Sequence, residues 1–203
     1  MAVVTGYSTL QTALTDWLAR SDLTSFTANF IQNAESKIYK RLRVREMETA
    51  LSAAISSGVL ALPSGYIGLK YAYVDGSPVQ WLDVTDAEYI YRCYPVRSAG
   101  GKPKFMAREG ANFIFGPYPD SNYTIKGIYY AKPTALRTET TNSLLTNHPD
   151  LFLYESLLES APFIGDDPRL QTWERMARRA WRSVETDSKK ESHSGGSLRS
   201  RVG

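Results

Sequence analysis

Residues 37–55 read KIYKRLRVREMETALSAAI, and inside this stretch the hydrophobic period changes. Upstream, Phe26, Phe30, Ala34, Ile38 and Leu42 step by four while Glu35, Lys37, Lys40 and Arg41 fall elsewhere, the spacing of an amphipathic helix. From Thr49 the pattern alternates, and glycine, proline and aromatic residues dominate to about Pro133. Alternation between turn residues is the mark of strands. The helix must stop within RLRVREMET, where a sheet region begins.

Working outward toward the N-terminus, Ser8 and Gln11 have the spacing of a capping box. Leu10, Ala13, Leu14, Trp17 and Leu18 then repeat at helical spacing to Arg20. A break at Ser21 and Asp22 leaves room for a short connection, so the first two helices are expected to form an antiparallel hairpin.

Toward the C-terminus, strands are expected at 50–55, 59–62, 67–75, 78–82, 105–107, 112–115 and 123–131, with SSG and DGS as hairpin turns. Thr85 and Glu88 have cap spacing for a helical turn through Tyr91. Residues 134–147 are polar and turn-rich, a crossing back to helices. Pro149 suits a first helical turn and is followed by Leu151, Tyr154, Leu157, Leu158 and Ala161 on one face, until Pro162 and Gly165 intervene. Asp167 and Pro168 repeat that start for a last helix to about Lys190, with an apolar stripe of Leu170, Trp173, Ala177, Trp181 and Val184. The expected fold class is α+β, a four-helix bundle-like body with an inserted antiparallel β module and an extended C-terminal arm. The expected divisions are a helical hairpin at 1–48, the β module and crossing loop at 49–147, C-terminal helices at 148–190 and a flexible docking arm at 191–203.

The arm contains SGGSLRSRVG at 194–203. Past its glycines it alternates, with Leu198 and Val202 on one side of an extended strand and Arg199 and Arg201 on the other. Such a segment cannot bury a core alone and is ordered by a partner.

The chain has 203 residues, 42% hydrophobic and 22% charged, enough for a sizeable core and unlike a disordered protein. Its 24 basic and 21 acidic residues give a net charge of +3, too balanced for a protein that coats nucleic acid. The single cysteine, Cys93 in YRCYP, forms no intramolecular disulfide and reads as a small apolar filler, consistent with folding in a reducing cytoplasm. MAVVTGYSTL lacks the charged start and apolar run of a signal peptide, and no stretch is long and apolar enough to span a membrane.

Chemistry-bearing residues are sparse. His148 stands at an expected helix start, where capping outweighs catalysis, and His193 lies near the tail. No metal-ligand spacing and no phosphate-binding glycine loop is present, so no catalytic, metal or cofactor residue is assigned. Asp166 with Asp167, or Glu155 with Glu159, has the residue types of a glycan hydrolase pair. A helix cap accounts for Asp167, however, and a solvated helix face accounts for the two glutamates.

Two basic clusters remain. Arg175, Arg178, Arg179 and Arg182 form a face opposite the apolar stripe, with Glu174 placed to pair with Arg178. That face is either simply solvated or an interface for carboxylates or phosphates, which the planar guanidinium suits. The cluster in KIYKRLRVRE at 37–46 sits at a helix C-terminus, where positive charge also serves the helix dipole. A DNA-binding module using both clusters is a third reading beside structural protein and hydrolase; its signature would be steep salt dependence. Thirteen tyrosines and four tryptophans enrich the sheet region. Tyr71, Tyr73, Tyr129 and Tyr130 cannot share one buried sheet face, so some must meet solvent or a neighbouring subunit.

Several passages, in order, carry a resemblance: DWLARSDLTSFTANFIQNAESKIYKRLRVREME, LPSGYIGLK, FGPYPDSNYTIKGIYYAKP, TNSLLTNHPDLFLYESLLESAPFIGDDPRLQTWE and SGGSLR. From about Tyr7 to Arg201 the chain resembles the adaptor, or head-to-tail connector, proteins of tailed bacteriophages, particularly short-tailed ones. The resemblance implies a non-enzymatic virion protein assembled in the bacterial host cytoplasm. It implies a homo-oligomeric ring, dodecameric, between the portal protein and the tail nozzle protein, with DNA passing through without specific binding and no membrane involved. Partner contacts are expected at Arg175, Arg178, Arg179, Arg182, Ser197, Leu198, Arg199, Arg201 and Val202.

Overall fold

A computed structural model of the chain describes residues 3–55, 58–96 and 100–193. It divides into two compact units, Met1–Glu46 with Pro133–Gly203, and Met47–Lys132. The expected arm residues Ser197, Leu198, Arg199, Arg201 and Val202 lie outside the described residues.

The first unit is not a four-helix bundle. Seven α-helices and two sheets are present among the described residues of the chain. The helical unit holds α1 (Tyr7–Leu18), α2 (Thr27–Arg41), α4 (Ser143–Asn147), α5 (Pro149–Glu159), α6 (Ala161–Ile164) and α7 (Arg169–His193), with α3 (Ala87–Cys93) in the other unit. The reason lies in α5. Leu151, Phe152, Leu153, Glu155, Ser156 and Leu157 are all buried, so this helix is covered on every side. Helices α1, α2 and α7 pack around it rather than the four sharing one central seam. A helix that is apolar all round occupies a centre; an amphipathic one occupies a rim.

Helix α1 begins two residues earlier than the Ser8 spacing implied. Its cap is Gly6, whose N–H donates to Thr9 Oγ1 at 2.9 Å, and a Cβ at position 6 would stand 2.9 Å from the Thr140 carbonyl oxygen. That close approach selects the glycine over a side-chain cap. The expected break at Ser21 is a 3-10 turn, Ser21–Phe26. Phe30, Ala34, Ile38 and Leu42 bury as their spacing required, whereas Phe26 stays 38% exposed and packs at a tilt against Phe163.

The second unit is a sandwich of two sheets, not a single antiparallel module. One sheet has the order β1 (Glu48–Ile55), β8 (Tyr123–Ala131), β3 (Tyr66–Val74), β4 (Gln80–Trp81). The other runs β2 (Val59–Ala61), β7 (Asn112–Gly116), β6 (Phe105–Glu109), β5 (Asp83–Thr85). Leu51, Ile55, Ala72, Val74, Ile125 and Tyr129 from the first sheet meet Met106, Phe113 and Phe115 from the second in one core. Strands β5 and β6 are parallel, and β5 falls in a stretch without the alternation expected of a strand. The strands on either side of SSG are not hairpin partners, because β1 pairs with β8 and β2 with β7. Gly58 has a positive φ of 67° and a Cβ there would lie 2.5 Å from the Tyr118 ring, so the glycine serves the change of sheet.

Helix α3 is capped at Asp86 rather than Thr85. Its Ile90 covers Ala107 and Ile114 on the outer face of the second sheet. Cys93, at the end of α3, is exposed and so is not the apolar filler that its neighbours implied.

Candidate functional site

Helix α7 sorts its residues by face. Trp173, Ala177, Ala180, Trp181 and Val184 are buried, and Arg175, Arg178, Arg179 and Arg182 are exposed. Together with Gln171 and Glu174, these four arginines line one open groove of about 470 Å³. Arg178 donates to Glu174 Oε2 at 2.9 Å across one helical turn. Arg175, Arg179 and Arg182 have no acidic partner among the described residues. Since helical rise is about 1.5 Å per residue, they present three planar guanidinium groups along roughly 10 Å of surface.

The buried face explains why that surface holds its shape. The Trp181 indole N–H donates to Glu155 Oε1 at 2.6 Å, joining α7 to the central helix α5. Arg41 of α2 stacks over the Trp181 ring at 4.1 Å and donates to Glu185 Oε1 at 2.9 Å. At the start of α7 the Asp167 carboxylate accepts from the Arg169 backbone N–H at 2.8 Å, the expected cap. Arg169 forks onto the same carboxylate at 2.7 Å, which holds Asp167 below the usual carboxylate range. The same guanidinium donates to the Trp17 and Leu18 carbonyls at 2.9 and 3.3 Å, closing the C-terminus of α1. Three elements therefore fix the helix that carries the arginines.

Three of the five cations of the second basic cluster are used internally, while Lys40 and Arg45 stay exposed. Lys37 pairs with Glu159 and Arg41 with Glu185. Arg43 donates to the Tyr39 and Lys40 carbonyls at 3.3 and 3.2 Å, at the C-terminal end of α2. Its charge completes helix ends and joins helices, the structural alternative left open by the sequence.

Three of the four carboxylates in the candidate hydrolytic pairs are engaged within the fold. Glu155 is buried, not on a solvated face, and its Oε1 is taken by Trp181; Glu159 is engaged by Lys37. Asp167 is committed to Arg169. His148 caps α5 without a side-chain cap bond, and its Nε2 stands 3.6 Å from Glu46 Oε1. Among the described residues no three His, Cys, Asp or Glu side chains are grouped to hold a metal ion. No helix among them is long and apolar enough to cross a membrane.

Sequence reasoning missed one buried polar junction. Glu35 is 5% exposed, and its Oε1 accepts from the Tyr39 hydroxyl and the Leu136 N–H, each at 2.9 Å. Asn142 donates to the Tyr39 oxygen at 2.8 Å and accepts from the Leu145 N–H at 2.9 Å, capping α4. Burial, then the Glu35 charge, pushes the Tyr39 phenol above its ordinary pKa. The helical period could have placed Glu35 beside Ala34 and Ile38, but its backbone partner is a hundred residues away in sequence. This junction ties the 134–147 crossing to α2.

The sheet unit carries the second candidate surface. Tyr129 is buried in the sandwich core, while Tyr71 and Tyr73 flank buried Ala72 and so point outward. Trp81 lies opposite Tyr73 and packs against both tyrosines, with ring centroids at 5.8 Å to Tyr71 and 5.6 Å to Tyr73. Trp81 is 57% exposed, Val79 48% and Tyr71 38%. An aromatic shelf and an arginine face are thus both held rigidly and left open, the composition that interfaces favour.

The whole-chain comparison agrees with a structural role. The family model described as SU10 adaptor protein matches residues 5–201. No curated protein matches the chain. Because the family match spans both the helical and the sheet unit, the chain belongs to the SU10 adaptor protein family, structural adaptors of bacteriophages.

Proposed function

We propose that this protein forms a homo-oligomeric ring, dodecameric as in the adaptors it resembles, that joins the portal protein to the tail nozzle protein. The ring surrounds the channel through which DNA passes without specific binding. The observation that carries this reading is the family match over residues 5–201. The protein acts as a shaped part of the virion and not as a catalyst; a peptidoglycan zymogram with purified protein is expected to stay blank. Subunits are made in the bacterial host cytoplasm and end at the head-tail junction.

The four arginines of α7 and the arm at 191–203 are the contacts assigned to partners. Ser197, Leu198, Arg199, Arg201 and Val202 would meet the portal by strand pairing or in a groove, and repetition around a ring would multiply a modest affinity. The test is mass measurement of the protein alone and mixed with the portal of the same phage. A stable complex with many copies per portal is expected, weakened on removal of residues 191–203 with the helical unit still folded. Failure of the full-length protein to join the portal overturns the reading. Undiminished joining by the shortened chain removes the arm from it.

A further inference from the structure

We propose that the arginine face of α7 in one copy docks head to tail on the Tyr71–Tyr73–Trp81 shelf of a second copy, guanidinium against ring. The inference rests on the ring reading above and names the two surfaces that meet.

The two surfaces are chemically complementary. An aromatic ring attracts a cation over its face, arginine more often than lysine, because the flat guanidinium can stack while its edge still donates hydrogen bonds. This chain already seats arginines that way: Arg41 lies 4.1 Å from the Trp181 centroid, Arg169 5.2 Å from Trp173 and Arg108 5.7 Å from Tyr66. Arg175, Arg179 and Arg182 are the arginines of α7 with neither a ring nor a carboxylate among the described residues. Trp81 is the most exposed of the large aromatic residues, and Tyr71, edge-on, and Tyr73, tilted, pack against it and hold it in place.

The pairing is also asymmetric. The arginine face belongs to the helical unit and the shelf to the sheet unit, so a copy that donates one surface keeps the other free. A contact between unlike surfaces propagates from copy to copy and closes into a ring when the rotation permits. An isologous dimer would instead use one surface twice.

The experiment uses assembled phage particles in which the chain carries a benzophenone amino acid in place of Val79, at the rim of the shelf, with Trp81 kept. After illumination, crosslinked peptides are identified by mass spectrometry. A link to residues 169–182 of another copy is expected. A link to any other segment or protein, or no link although the protein is present in the particles, overturns the inference. If the unsubstituted protein is itself missing from purified particles, the ring reading has failed rather than this contact.

A second arm separates stacking from plain charge. Trp81→Ala should lower incorporation into particles by roughly tenfold while Trp81→Phe keeps most of it. Converting Arg175, Arg179 and Arg182 to lysine should also lower incorporation, because charge remains but the planar fork is lost. Full incorporation of either the alanine or the lysine variant overturns the proposed contact.

Discussion

The two basic clusters both lie on helices of the same unit, and the fold uses most of one and little of the other. In residues 37–46 Lys37, Arg41 and Arg43 meet Glu159, Glu185 and the last carbonyls of α2, and Lys40 and Arg45 stay exposed. On α7 the arginines at 175, 179 and 182 stay exposed without an acidic partner among the described residues. Charge alone does not distinguish a staple from an interface. What distinguishes them is whether the fold supplies the counter-groups, and only tertiary contacts decide that. Substitutions should therefore follow opposite rules: those in the internally satisfied set lower stability, and those on the open set lower assembly with stability kept.

The largest effect is expected where the staple and the arginine helix share a residue. Trp181→Ala removes a 6% exposed ring, the seat of Arg41 and the donor to Glu155. Loss of a buried tryptophan destabilises by about 3–5 kcal/mol. For a chain of this size, that is roughly a 10 °C lower thermal midpoint. Trp181→Phe keeps most of the ring but leaves the Glu155 oxygen without its donor, and should cost about 1–3 kcal/mol. Calorimetry on the two variants separates packing from the hydrogen bond. If Trp181→Ala melts with the wild type, α7 is not held by this contact and the arginine face loses its rigid support.

Local signals made part of this legible. The step-of-four pattern from Phe30 to Leu42, the proline at the start of α5 and the Asp167 cap all follow from backbone chemistry within one or two turns, and the structure keeps each. The opposite placements of Tyr129 and Tyr130 follow from strand alternation. The bundle expectation failed because the sequence pattern of α5 shows one apolar face, whereas buried residues, Glu155 and Ser156 among them, lie around the whole helix. The solvated reading of Glu155 failed for the same reason, since nothing near it in sequence announces Trp181. The two-sheet arrangement was equally hidden: β1 and β2 are neighbours in sequence, yet they find β8 and β7 far along the chain. The arginine face was legible as a face, but its freedom from partners was not.

A smaller effect is expected at the junction of α7 with α1. Arg169→Ala deletes the bonds to the Trp17 and Leu18 carbonyls and to Asp167. With the Arg169 side chain 42% exposed, the loss should be about 1 kcal/mol after allowance for solvent screening. The Asp167 carboxyl titrates below its usual 3.8 because Arg169 and its own N–H bind the charged form. A depressed folded-state pKa contributes stability above the unfolded value and loses it as pH falls through the folded one. The gap in thermal midpoint between wild type and Asp167→Asn should therefore be full above about pH 4 and shrink on acidification below it. A gap independent of pH would show that the cap acts through shape and not charge.

The smallest effect on folding should come from the open cluster, and it is the most informative. Replacing Arg175, Arg178, Arg179 and Arg182 with glutamine removes one surface ion pair, Arg178 with Glu174, which is 75% and 53% exposed. Such pairs contribute about 0–1 kcal/mol, and glutamine keeps helix propensity close to arginine's, so the thermal midpoint should hold within roughly 2 °C. The same variant should join the portal and its neighbours poorly, seen as a lower copy number per particle by mass. A stable variant that assembles normally would make the α7 face an ordinary solvated one. A destabilised variant would move it into the class of the 37–46 staples and remove the contrast between the two clusters. Only stability kept with assembly lost preserves that contrast, because exposed guanidinium groups that the fold does not need must then be met by a neighbour.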